Sequence, residues 1–274
     1  MAWLAWRWHP AHLPGLERTV MCMQHLTTIS IVSDIPEGKG VAPAQMSTIG
    51  PYLQGVLMER LDTSYVEWLH RQPFNPYSQY CYADKDSHEL IWRIHALTDE
   101  AAEQVIRPMQ GVRSIKVRGI DSTLEVRRST VEVIELTCLT DLIRDGDTGR
   151  SSLSFLTPTS FKSAGSYVFM PSVRLILQNL LMRYNQLYEG DKEVDEETML
   201  YMERCARIVS YKLHSQYFPH VTKDHKIPAF VGSVVLKCHG PQPMVGLVRM
   251  LLKFGEYAGI GIKTSMRMGG VRCT

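Results

Sequence analysis

The chain has 274 residues, 45% of them hydrophobic and 21% charged, enough to bury a sizeable core in one or two domains. A formal charge of +2 and a pI near 8.2 exclude a globally basic nucleic-acid binder, so any nucleic-acid surface must come from local clustering. Six scattered cysteines without a C-x-x-C pair argue against a disulfide framework, and Cys238-His239 lacks the partner ligands of a zinc site.

No apolar run reaches the ~18 residues needed to span a bilayer. A reduced cytoplasm without membrane contact is the expected setting, and neither cofactor nor metal is expected. Residues 1–22, opening "MAWLAWRWHPAHLPGLERTV", lack the basic start and apolar run of a signal peptide. They read as an N-terminal extension outside the fold, with Met21 or Met23 as the start of the patterned chain.

From His25 the periodicity becomes legible. "HLTTISIVSDI" alternates β-branched residues and predicts a strand; "IPEGKGVAP" is a loop. Ser47 opens a helix expected to run to His70, with Leu53, Val56, Leu57, Leu61, Tyr65, Trp68 and Leu69 at helical spacing. "QYCYA" and "HELIWRIHAL" predict two strands around a polar turn. Thr98-Asp99 caps the helix "DEAAEQVIRPM", and "RSIKVRG" and "TLEVRRSTVEVIEL" predict two more strands. The order β-α-β-β-α-β with one extra strand predicts a ferredoxin-like (RRM-like) domain over 23–146.

After the polar break "RDGDTGRSS" a second unit follows over 147–274. "LSFLTPTSF" predicts a strand, and "PSVRLILQNLLMRYNQL" a helix with Pro171 in its first turn. "EVDEETMLYMERCARIVSYKL" predicts a further helix. "AFVGSVVLKCH" predicts a strand, "QPMVGLVRMLLKFG" the last helix, and "IKTSMRMGGV" a terminal strand. The fold class is therefore α+β, two tandem ferredoxin-like domains.

The last helix runs into "KFGEYAGIGIKTSMRMGGV". A P-loop needs its lysine directly after the last glycine, but Ile262 separates Gly261 from Lys263. A dinucleotide fingerprint needs a following helix and a distant acidic residue, and only ten residues follow Thr264. Both nucleotide readings fail. What remains is a loop whose backbone amides could lie against phosphates, or a tight turn before a final strand.

Four stretches carry a family resemblance: "PYLQGVLMERL", "VEWLHRQPFNPYS", "FLTPTSFKSAG" and "LLKFGEYAGIGIKTSM" with the closing "MGGV". From about His25 to Arg272 the chain resembles the CRISPR-associated endoribonucleases that cut precursor CRISPR RNA within its repeats, members of the repeat-associated mysterious protein superfamily. The resemblance implies tandem ferredoxin-like domains and metal-independent cleavage, in which a 2′-hydroxyl attacks the adjacent phosphate. The products would be a 2′,3′-cyclic phosphate and a 5′-hydroxyl.

His70 matches the family's catalytic histidine, a residue type suited to proton transfer near neutral pH. A lone histidine at a helix C-terminus is otherwise explained as a dipole contact. Some family members carry a tyrosine where this chain has Met58 and a lysine near Pro73; both are absent, leaving the cation for the phosphorane open among Arg71, Arg60 and Lys162. Gly255, Gly259 and Gly261 with Lys263 are expected to hold the RNA backbone. Arg267, where the family often has glycine, is expected either to bind phosphate or to be tolerated in an exposed strand.

Lys116, Arg118, Arg127 and Arg128 on two neighbouring strands are further phosphate-contact candidates, against a solvated strand face. Tyr77, Tyr80 and Tyr82 are either base-stacking platforms or core. The expected partner is CRISPR repeat RNA, single-stranded or a short hairpin, with other effector-complex subunits as further partners. The alternative reading is a non-catalytic guide-RNA-binding subunit of such a complex.

Overall fold

A computed structural model describes residues 24–35, 50–84, 86–117, 122–144, 149–190, 193–219 and 226–274. The Trp-rich opening, the loop and helix start expected between 36 and 49, and Arg118 lie outside them.

The first unit comprises β1 (His25–Asp34), α1 (Gly50–Met58), α2 (Thr63–Arg71), β2 (Tyr77–Ala83), β3 (Glu89–Ala96), α3 (Asp99–Ala101), β4 (Ser114–Val117) and β5 (Ser122–Glu135). Thr98 caps α3 by accepting the Ala101 N–H at 3.1 Å, and a π turn Ala102–Ile106 and a 3-10 turn Arg107–Met109 extend it. The sheet is antiparallel with order β2-β3-β1-β5-β4. Without its β4 edge this is the ferredoxin-like arrangement, with β1 central and β5 as the last strand. Alternation sorts the two faces. Ile29, Ile31, Leu90, Trp92 and Ile94 point to the helices, where Leu53, Leu57, Tyr65, Leu69 and Val105 meet them. Thr28, Tyr80 and His95 point the other way, toward the second unit.

The helix expected from Ser47 to His70 is two helices. Asp62 accepts the Ser64 N–H at 2.8 Å and so starts α2 afresh, a side-chain cap that competes with continuing the preceding helix.

Beyond the short α4 (Thr137–Thr140), the second unit runs β6 (Arg150–Thr159), β7 (Phe161–Ser163), β8 (Ser166–Val168), α5 (Val173–Tyr184), α6 (Glu196–Cys205), β9 (Ala206–Phe218), β10 (Ile227–Cys238), α7 (Gln242–Ala258) and β11 (Val271–Cys273). Its main sheet has order β11-β6-β10-β9, the same arrangement as the first. Ser172, not Pro171, opens α5, accepting the Leu175 N–H at 3.2 Å. The helix expected to reach Leu213 stops at Cys205, and Ala206 onward pairs with β10 along the whole strand. Cross-strand pairing decides the state of "ARIVSYKLHSQYF", whose β-branched and aromatic content suits a strand. The expected terminal strand from Ile262 is instead a loop with a 3-10 turn Thr264–Met266 and only three strand residues, because Lys263 and Arg267 both take positive φ.

The units touch closely. A Cβ on Gly270 would stand 2.4 Å from the Tyr80 ring, Ser78 Oγ donates to the Tyr257 carbonyl, and Tyr188 donates to the Leu97 carbonyl at 2.6 Å. Among the described residues no helix is long and apolar enough to cross a membrane.

Candidate active site

His70 and Arg71 occupy the last turn of α2 and are exposed. Among the described residues Arg71 forms a long surface ion pair to Glu67, 3.9 Å on the same helix face. Arg60, in the break between α1 and α2, is half-buried and its Nε carries no hydrogen-bond partner. Lys162 is exposed on β7.

The segment leaving His70 turns straight onto the Gly-rich loop. Asn75 Nδ2 donates to Ser265 Oγ at 3.0 Å, and Phe74 lies under the Arg183 guanidinium, 5.2 Å from Cζ to ring centroid. Beneath this contact runs a buried polar chain. Trp92 Nε1 donates to Gln79 Oε1 at 2.9 Å, and Gln79 Nε2 donates to the Ser265 carbonyl at 2.8 Å and to Gln54 Oε1. Gln54 in turn donates to the Tyr77 hydroxyl at 3.1 Å. α1, β2, β3 and the loop are thereby fixed to one another.

The Gly-rich loop is not the amide cradle expected of it. The N–H groups of Gly259, Ile260, Gly261, Ile262, Met268, Gly269 and Gly270 donate within the fold, Gly259 to the Gly255 carbonyl at 2.9 Å and Gly261 to Asn179 Oδ1 at 2.8 Å. The glycines answer to crowding. Gly261 has φ +93 and a Cβ there would stand 2.4 Å from the Ser160 carbonyl oxygen. Gly255 lies inside α7, packed against Ile260 and Leu180, and has no surface to offer.

Arg267 is likewise displaced from its expected role. It is 2% exposed, its guanidinium lies 5.7 Å from the Phe218 ring, and Nε and NH1 have no hydrogen-bond partner. Its φ of +84 is one that glycine adopts without cost, and burial lowers its pKa. Lys263, half-buried with φ +54, accepts the Met266 and Met268 N–H groups on its carbonyl and brings Nζ to 3.9 Å from Met266 Sδ.

The residue that organises the loop is Arg183, which sequence reasoning missed. It is 4% exposed and donates from NH1 to the Ala258 carbonyl and Thr264 Oγ1, both at 2.6 Å, and from NH2 to the Gly261 carbonyl at 2.9 Å. Burial pushes its pKa down to about 10, so it remains a cation at neutral pH, making charge-assisted bonds. A lone arginine in the apolar run "LILQNLLMRY" was the available signal.

Of the strand cations, Lys116 is exposed on β4, Arg127 pairs with Asp34, and Arg128 lies 3.5 Å from Glu89. Tyr77 and Tyr80 are buried, and burial pushes the Tyr77 hydroxyl up to about 12. Tyr82 is half-buried, 6.1 Å from Tyr80 ring to ring. Among the described residues no three His, Cys, Asp or Glu side chains group as metal ligands.

Residues 153–271 match the family model for the CRISPR-associated endoribonuclease Cas6. The chain is 36% identical over 219 residues to a CRISPR-associated endoribonuclease Cas6 of Streptococcus thermophilus, covering 80% of this chain and 88% of that one. It is 32% identical over 252 residues to a Cas6 of Mycobacterium tuberculosis, covering 91% and 78%. A solved Cas6 product complex matches with a TM-score of 0.69 at 19% identity, over 91% of this chain and 99% of that chain, a likeness of fold. On identity and coverage together, the chain belongs to the Cas6 family of CRISPR-associated endoribonucleases.

Proposed function

We propose that this chain cuts CRISPR repeat RNA in precursor transcripts to give guide RNA, without a metal. The 2′-oxygen forms a bond to the adjacent phosphorus and the bond to the 5′-oxygen breaks. The proton lost from the 2′-hydroxyl is balanced by one gained at the leaving oxygen, so the products are a 2′,3′-cyclic phosphate and a 5′-hydroxyl. His70 is the proton-transfer group, a role worth about 10²–10⁴ in rate.

The observation that carries this reading is the setting of His70. It stands exposed at the end of α2, five residues before an Asn75 side chain bonded to the Gly-rich loop, so a reactive side chain is held on a fixed support. Arg71 is the cation assigned to the phosphorane. Its pair with Glu67 is long and exposed, and such pairs contribute little, so the guanidinium is available to a phosphate. Lys116, Arg127, Arg128 and Lys263 are proposed as backbone contacts, and the loop glycines act through shape.

The test is incubation of labelled repeat RNA with the protein and with His70→Ala in excess EDTA. A single cut with a cyclic-phosphate end, lost in the variant, is expected. Tight binding without cutting by either protein would instead favour a guide-RNA-binding subunit.

A further inference from the structure

Between the segment that follows His70 and the β7–β8 hairpin lies a cleft of ≈ 450 Å³, lined among others by Phe74, Lys162, Gln178, Asn179 and Ile262. That volume falls within the ~300–1,000 Å³ of small-ligand sites. Its lining is chemically mixed and partly preset. Phe74 offers an aromatic wall, and the Arg183 guanidinium packed against the ring holds it in place. Asn179 has no freedom to flip: Oδ1 accepts the Gly261 N–H at 2.8 Å, which leaves Nδ2 as the donor for an incoming group. Gln178, beside it on α5 and half-buried, adds a second amide that can donate and accept.

The rim extends the same chemistry. Lys162 is exposed and pairs across the hairpin with Tyr167, itself 44% exposed. Phe169 and Met170 follow, also exposed. The hairpin turns tightly at Ala164-Gly165, both with positive φ, the pattern of a type I′ turn, so the lysine is carried on a short, defined element.

An aromatic wall, two amides and a cation match three features of a nucleotide: a base face to stack, a base edge with donors and acceptors, and a phosphate. We propose that this cleft holds one unpaired nucleotide of the RNA, its base against Phe74 and its edge read by Gln178 and Asn179, with its phosphate toward Lys162. A membrane surface or an apolar peptide would leave both amides unsatisfied. The proposal rests on RNA being the substrate, and adds where one base is recognised. Phe74 is four residues beyond His70, at most ~14 Å of extended chain, so the base belongs to a nucleotide close to the cut.

The experiment uses the full chain and a set of repeat RNAs, each lacking one base. Binding by fluorescence anisotropy and cleavage rate are measured for the wild type, Gln178→Trp, which fills the cleft, and Gln178→Ala, which cannot clash. Thermal melts check that each variant folds. Removing one particular base, near the cut, is expected to weaken wild-type binding roughly 5- to 100-fold, the scale of one stacked base. That penalty should fall below about twofold in Gln178→Trp and shrink in Gln178→Ala, with penalties elsewhere in the RNA unchanged. Equal penalties at every position in all three proteins would overturn the pocket while leaving the nuclease intact. RNA that binds with this base-dependent pattern but is never cut would overturn the nuclease reading and keep the pocket. No binding at all would overturn both.

Discussion

The two sides of the candidate site are built by opposite rules. At the end of α2, the His70 and Arg71 side chains face solvent from a helix end that leads into the loop contact, Arg71 with a long ion pair to Glu67. The Gly-rich loop, which Asn75 touches, spends its amides internally, admits a neighbouring carbonyl where a Cβ would stand, and wraps its own carbonyls around the buried Arg183. The reactive side keeps its groups available, and the supporting side gives up availability for rigidity. A glycine-rich stretch is thus read more safely as a demand for close packing than as an anion site, until the direction of its N–H groups is known.

The largest expected effect tests the reactive side. His70→Ala should lower cleavage by about 10²–10⁴-fold and leave the melting temperature and RNA affinity near wild type. Coupled loss of affinity and stability would show that His70 is part of the support, and the division between the two sides would fail. Arg183→Met should do the opposite. It strands the carbonyls of Ala258 and Gly261, each at a cost of about 1–3 kcal/mol, so about 2–5 kcal/mol of stability should be lost in urea unfolding. Arg183→Lys keeps the charge but not the fork and should fall between. Gly261→Ala meets both a positive φ and the Ser160 carbonyl and should cost about 2–3 kcal/mol. A stability unchanged by that substitution would mean the loop is less tightly held than its contacts imply.

Much of this architecture was legible. β1, β3, β10 and α7 follow from clean alternation or helical spacing, and the order of elements was enough for the first ferredoxin-like unit, whereas the second was read without β9. What was not legible depended on partners distant in sequence. Nothing breaks the chain between α6 and β9, and only pairing with β10 makes "RIVSYKLHSQYF" extended. The short β7–β8 hairpin gives too few residues for a period. His70 was put forward only through the resemblance of "VEWLHRQPFNPYS" to a family. The loop was located correctly but its glycines were given to RNA, because composition records glycine and not what a Cβ would strike. Arg183 and the Gln54-Gln79-Trp92 chain were invisible, since a buried polar group reveals its purpose only through the groups it meets.

A smaller effect probes the interface between the units. His95 is buried between Tyr80, 5.6 Å away ring to ring, and Tyr257, with Thr28 Oγ1 2.8 Å from its Nδ1. Burial, and then the nearby Arg93, push its pKa down to about 3, so the ring is neutral in the folded protein at pH 7. The unfolded chain takes up a proton near pH 6.5, hence between pH 6.5 and 3 it binds more protons than the folded state, and stability falls as pH falls. Between pH 7.5 and 5.0 this group should account for a loss of about 2 kcal/mol, at about 1.4 kcal/mol per unit below 6.5. Urea unfolding at the two pH values should show that loss in the wild type and lack it in His95→Gln. An equal loss in both would assign the acid sensitivity to other groups.

The smallest effect sets one glycine against another. Gly55 lies on the exposed side of α1, and a Cβ there would meet nothing within 4 Å. It also lies within an ordinary helix, where glycine is disfavoured against alanine. Gly55→Ala should therefore raise stability by about 0.5–1 kcal/mol, whereas the same change at Gly261 lowers it several-fold more. Thermal melts of the two variants measure the contrast directly. RNA binding by the stabilised Gly55→Ala protein then decides what that glycine is for. Unchanged affinity leaves Gly55 as a tolerated weakness in a support helix. A clear loss of affinity, with the fold made firmer, would mean that α1 keeps a bare backbone there because RNA lies against it, and the reactive side of the site would then extend along α1 as well as α2.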